Sequence, residues 1–321
     1  MSPRTRVLLV VAAAAVAAAL ATVGGTVLLS RGDDTGGVGI RPGRPPLLLD
    51  LGLRTDAEAA ALRRAARLYR AGRVAEARRI LAGRSSLEAR VGAALTAFPA
   101  GAVAELDGLE RAHPRSGLVR LHLGLVLYWE RRDREAVQAW RAAERVDPDS
   151  PAAVEAGNLL HPNLPPDLPE FVPSFGPPSS LAALPPAQRI AALERAARRA
   201  DPRAKLLYGV VLQRLGRPVS AERQFAAAAR LAPRSPDARV AAAVGLFDKD
   251  RPARAFSRLG PLVHVFPRAP TVRFHLGLLL FWTGRIEAGK VELERARAEG
   301  PGTPLGRAAA AFLAGLARRT R

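Results

Sequence analysis

Five small or apolar residues recur at one fixed spacing, and this recurrence limits the fold more than any other feature of the chain. Gly124, Ala136, Trp140, Ala143 and Pro148 are separated by 12, 4, 3 and 5 residues. Gly209, Ala221, Phe225, Ala228 and Pro233 keep the same spacing, as do Gly277, Gly289, Leu293, Ala296 and Pro301. A weaker copy, Ala243, Ala255, Leu259, Leu262 and Pro267, lies between the last two. Pro114 and Pro148 are 34 residues apart, and so are Pro233, Pro267 and Pro301. A period of this order predicts stacked units, each burying its apolar face against the next. Composition names the unit. Hydrophobic residues make up 48% of the chain but aromatics only 5%, so the apolar mass is Ala and Leu, which favour helix. The frequent Pro and Gly predict many short helices divided by sharp turns.

A 34-residue period with these contents resembles the tetratricopeptide repeat family. The resemblance implies an all-α solenoid of helical hairpins. In it, Gly124, Ala136 and Ala143 let paired helices approach, Trp140 or Phe225 fills the gap between units, and a closing proline ends the second helix. The chain departs from the pattern at its edges. Arg90 replaces the small residue in the unit ending at Pro114, and Gly289 stands where the family usually has Ala. The first unit keeps Ala65, Gly72, Ala77 and Leu81 but has Arg84 next and no closing proline. Its second helix should be short.

A second level of repetition divides the chain. Residues 114–129 align without gaps to 267–282, with ten of sixteen positions identical. The chain therefore reads as two tetratricopeptide-like blocks, 56–160 and 187–321, the second closed by a capping helix from Leu305 to Arg319. The linker between them, 161–186, carries nine prolines in 26 residues. It also carries Leu164, Leu168, Phe171, Val172 and Phe175, which suit a free linker poorly. One reading folds it back onto a block's aromatic groove; the other lets the phenylalanines plug the junction.

Val7 to Leu29 is uncharged over 23 residues, a helix of about 34 Å, enough for a hydrocarbon core of about 30 Å. Arg4 and Arg6 precede it. The positive-inside rule predicts a cytoplasmic segment 1–6, a single transmembrane helix or uncleaved signal anchor at 7–29, and an extracytoplasmic repeat domain at the cell membrane. The alternative is a signal peptide cleaved to release a secreted protein. Residues 30–55, rich in Gly and Pro, read as a flexible tether.

Chemistry is hard to place. There is no cysteine, no His-Glu-x-x-His run, no nucleophile elbow and no phosphate loop, so no catalytic, cofactor-binding or metal residue is assigned. His122 and His275 are equivalent under the duplication and read as hydrogen-bonded structural residues. The formal charge of +20 allows a basic solenoid that binds an anionic polymer, a lipid surface or nucleic acid. Against nucleic acid, the chain has only two asparagines, Asn158 and Asn163, too few for a base-reading helical code. An anionic envelope surface suits the charge better.

The leading expectation is a protein-interaction scaffold, not an enzyme, with a protein or peptide partner. The helix through Gly124 has two apolar stripes, one of them containing Leu121, Leu125, Tyr128 and Trp129; Phe274, Leu278, Phe281 and Trp282 repeat it. Either neighbours bury the second stripe or it is a peptide groove. The family's polar clamp for a terminal carboxylate does not carry over, because Leu121 and Leu125 stand in its place. The ligand implied is apolar or amphipathic.

Overall fold

The computed structural model describes residues 41–319. The apolar span 7–29 and the start of the tether lie outside the described residues. Among the described residues every regular element is helical, and none is long and apolar enough to cross a membrane. The chain divides between Leu160 and His161 into two units.

The first unit contains three hairpins and a closing helix. These are α1 (Ala57–Arg70) with α2 (Val74–Ala82), α3 (Leu87–Thr96) with α4 (Ala102–Ala112), and α5 (Gly117–Trp129) with α6 (Asp133–Val146), followed by α7 (Pro151–Leu160). The second opens with the single turn α8 (Ser179–Ala182) and α9 (Pro186–Ala197). Three hairpins follow: α10 (Pro202–Arg214) with α11 (Pro218–Leu231), α12 (Pro236–Val244) with α13 (Ala253–Leu259) and α14 (Leu262–Val265), and α15 (Pro270–Trp282) with α16 (Ile286–Glu299). The closing helix is α17 (Pro304–Arg319). The second helix of the middle hairpin is broken at Gly260–Pro261, where proline supplies no N–H to continue the ladder. The first hairpin's second helix runs only nine residues.

Local chemistry sets the helix starts. Asp56, Ser86, Ser116, Asp201 and Ser235 each accept a backbone N–H two or three residues on, and such caps are worth about 1 kcal/mol apiece. The turns between paired helices share another device. The N–H groups of Arg73, Arg132, Arg217 and Arg285 reach back to the carbonyls of Leu68, Leu127, Leu212 and Leu280 at 2.8–2.9 Å. This closure needs a left-handed residue just before the arginine. Gly72, Gly216 and Gly284 supply it at φ of 78, 65 and 75°, whereas in the third hairpin Arg131 is held at 59°.

The spaced small residues are close-approach points. A Cβ on Gly124 would collide with the Trp140 ring, whose Nε1 donates to Leu121 O at 3.3 Å. One on Gly209 would meet the Phe225 ring, and one on Gly277 would lie 2.9 Å from Leu293 Cγ.

One expectation needs correcting at its C-terminal end. Residues 41–51, expected within a flexible tether at 30–55, are packed onto the first unit, with Pro45, Leu47 and Leu51 buried. Three prolines in this stretch lack an N–H, so it can lie on apolar surface with few donors to satisfy. Within the join expected at 161–186, Leu168, Phe171, Val172 and Phe175 likewise pack on the second unit.

Candidate functional site

Each unit has a groove lined by the first helix of every hairpin, and each groove holds an extended strap from the chain itself. In the first unit Arg41 starts the strap. Its N–H donates to Trp129 O at 2.7 Å and its Nε to Tyr128 O at 2.8 Å. Its guanidinium lies 3.8 Å from the Tyr128 ring centroid and pairs with Asp133 at 2.8 Å. Further along, Tyr69 of α1 donates its hydroxyl to Pro45 O at 2.9 Å. A Cβ on Gly92 of α3 would sit 3.5 Å from Leu47. Leu48 then donates its N–H to His122 Nε2 at 3.1 Å, so the strap runs antiparallel to α5.

The second unit repeats this with other side chains. Lys249 donates to Pro165 O at 3.0 Å, and Gln213 of α10 donates to Pro169 O at 3.4 Å while accepting from Phe171 N–H at 3.0 Å. Val172 donates its N–H to His275 Nε2 at 2.9 Å. Ser174 donates its N–H and hydroxyl to Asp237 of α12 at 3.2 and 2.6 Å. Phe171, 1% exposed, stacks on His275 with centroids 5.1 Å apart and meets Phe225 edge-on at 5.6 Å. Arg203 sits 4.3 Å above the Phe175 ring.

Aligning Leu48 with Val172 superposes the two straps in register. Pro42 falls on Pro166, Pro45 on Pro169, Leu47 on Phe171 and Leu51 on Phe175. Left-handed Gly43 falls on Asp167, at φ of 83 and 65°. Tyr69 and Gln213, which address the paired proline carbonyls, also correspond in their hairpins. The straps therefore belong to the duplication.

The two histidines fix the chemistry. His122 is fully buried and His275 is 1% exposed. Their Nδ1 atoms lie 2.8 Å from Leu118 O and 2.7 Å from Thr271 O. A carbonyl only accepts, so Nδ1 carries the hydrogen and Nε2 presents its lone pair to the strap amide. Only the neutral imidazole satisfies both partners. Desolvation pushes both histidines down to about 4, against a smaller opposing pull from their carbonyl bonds and, for His275, from Asp237. Among the described residues no cluster of acidic or histidine side chains could hold a metal ion.

Of the residues expected in a peptide groove, Leu121, Leu125, Trp129, Phe274, Phe281 and Trp282 are buried, while Tyr128 and Leu278 are half-buried. Tyr128 and Trp129 meet the strap directly. Phe274 lies edge-on to His275, and Trp282 pairs with Phe247 at 6.0 Å. Phe281 faces elsewhere, packing on Phe312 of α17 at 5.0 Å. Sequence reasoning missed the groove's polar anchors, Tyr69, His122, Gln213 and His275. The duplicated histidine was the signal available for them.

The hairpins and their turns make the chain a tetratricopeptide-like helical repeat. No family model matches the sequence, and no curated protein matches it. Among solved structures it is similar to yeast Tom70, at 12% identity and a TM-score of 0.35 over 87% of this chain and 53% of that one. It is also similar to the Cut9–Hcn1 hetero-tetramer of APC/C, at 14% identity and 0.27 over 81% of this chain and 56% of that one. The chain thus spans little more than half the length of either. Likeness at this level says nothing of partner or activity.

Proposed function

We propose that the chain is a membrane-anchored protein-interaction scaffold, not an enzyme, whose units take an extended apolar or amphipathic segment of a protein partner along the first helices of their hairpins. One observation carries the reading: both grooves already hold an extended segment, in one register, through matched contacts. Two grooves that hold different sequences through matched main-chain contacts suit extended chain. In this proposal residues 7–29 anchor the chain in the cell membrane and the units lie outside the cytoplasm. The net charge of +20 favours a second reading, adhesion to an anionic envelope surface.

A photoreactive residue in place of half-buried Leu278, in the full-length chain in cells, tests the proposal. Protein adducts in a membrane fraction that resists alkaline extraction are expected. Adducts to lipid or acidic polymer alone would favour the second reading, and release of the chain by alkali would remove the anchor.

A further inference from the structure

The straps differ in sequence yet share two polar groove contacts, and what they share shows what the groove reads. Over residues 41–51 and 165–175 only two aligned positions are identical, Pro42 with Pro166 and Pro45 with Pro169. Burial also falls on matched positions: Pro45 and Pro169, and Leu47 and Phe171, are buried. The apolar residues four further on differ in degree, Leu51 buried and Phe175 half-buried. Arg44 pairs with Leu168, Pro46 with Glu170, Leu49 with Pro173 and Asp50 with Ser174, so these positions tolerate charge, apolar bulk and ring closure alike. Glu170 pairs with Arg214 and the Ser174 hydroxyl donates to Asp237, but no side-chain type is shared by the two straps at these positions.

The polar contacts common to both straps are made to their main chain. A proline carbonyl at 45 or 169 accepts from Tyr69 or Gln213, and the amide three residues on donates to His122 or His275. An empty groove would give up that bond and leave the imidazole Nε2 to water among apolar side chains, a poorer state than the one the strap provides. The groove therefore favours an occupant with a free amide at one position, proline three residues before it and an apolar side chain just before it.

We infer that each groove is a binding site for extended protein segments of the pattern Pro-x-Φ-x-x-x-Φ, where Φ is Leu or Phe, read by its histidine through the amide that follows the first Φ, and that the strap is the internal occupant such a segment displaces. This rests on the scaffold reading and specifies its ligand. Tethering gives the strap a large effective concentration, of order millimolar for a short flexible connection, so a free segment competes only when it binds well or the strap is weakened. The strap thus sets a threshold for partner binding. Because the groove reads main chain, the first strap's sequence is also a ligand for the second groove.

The test uses the full-length chain and two labelled synthetic peptides, residues 165–177 and residues 41–53. Val172→Pro removes the strap's own donor to His275 without cutting a cavity, and Phe171→Ser weakens the strap by a different route. Each variant should keep its helical circular dichroism. Peptide 165–177 should bind both variants at least about tenfold tighter than the unaltered chain, the scale of one buried hydrogen bond. Peptide 41–53 should compete with it. Methylating the peptide nitrogen at position 172 should cost about tenfold or more, whereas methylating it at position 170 should cost little.

Equal affinity for altered and unaltered chains would place the peptide outside the groove and overturn the inference. So would indifference to methylation at 172, or failure to bind either folded variant. Partner adducts at position 278 whose yield ignores both strap substitutions would leave the scaffold standing and sink only the ligand assigned here.

Discussion

Val172 donates a main-chain N–H hydrogen bond to Nε2 of His275 across 2.9 Å, and the other nitrogen of that ring is committed to Thr271 O. A second proton on the imidazole would set two donors face to face inside the unit. Leu48 and His122 stand in the same relation.

Stability should therefore fall in mild acid. Burial holds both histidines near 4, below an unfolded value of about 6.5, so the unfolded chain binds more protons between these limits. The contribution is complete above about pH 6.5 and is lost as pH drops through about 4. The slope approaches about 1.4 kcal/mol per pH unit for each histidine. Urea unfolding at pH 7, 6 and 5 should show it. His122→Gln with His275→Gln, which keeps an acceptor and a donor, should flatten the slope in that window. An unchanged slope in the double variant would assign the acid sensitivity to other groups.

Arg131→Gly should stabilise the first unit by roughly 0.5–1 kcal/mol. The arginine occupies φ 59°, where L-residues lose about 1–2 kcal/mol and glycine does not, although glycine adds unfolded-state entropy. The reverse change, Gly216→Arg, should cost a similar amount. Urea midpoints of both variants give the comparison.

Two glycines in helices should respond with opposite signs. Gly124→Ala drives a methyl into Trp140 and should cost about 1–3 kcal/mol. Gly108→Ala, in α4 with nothing within 4 Å of the added atom, should gain up to about 1 kcal/mol from helix propensity. Matching signs would mean that the contact between α5 and α6 relaxes without cost.

Removing the strap's main side chain should loosen it. Phe171→Ala takes a ring that is 1% exposed out of the second unit and should cost about 3–5 kcal/mol. Limited proteolysis should then cut within 161–178 first, while the hairpins persist. Cleavage spread evenly over α10–α17 would make the strap part of the unit's indivisible core.

Helices and hairpins were legible because each is specified within about 34 residues. Gly124, Ala136 and Trp140 need one another's size, and the missing proline near Arg84 foretold a nine-residue α2. The straps were not legible as a pair. His122 and His275 are 153 positions apart, but Leu48 and Val172 only 124, partly because α8 and α9 intervene between the second strap and α10 and partly because the first unit's hairpins are shorter. An ungapped comparison cannot align both. Composition misled as well: glycine and proline at 41–51 suggested solvated chain, although a proline-rich segment is also suited to an apolar groove because it carries few amides. Phe171 and Phe175 gave the second strap away, whereas Leu47 and Leu51, with less bulk, did not.

The straps are the long-range part of an otherwise local architecture. Hairpins close over a few residues, but Leu48 meets His122 across 74 positions and Val172 meets His275 across 103. Contacts so distant in sequence form slowly, after loop entropy has been spent by the helices between them. A ribosome also delivers each strap before the helix that will receive it. During synthesis every nascent unit therefore passes through an interval in which its strap waits undocked and its groove forms open, the moment at which another chain could enter before the chain's own strap arrives.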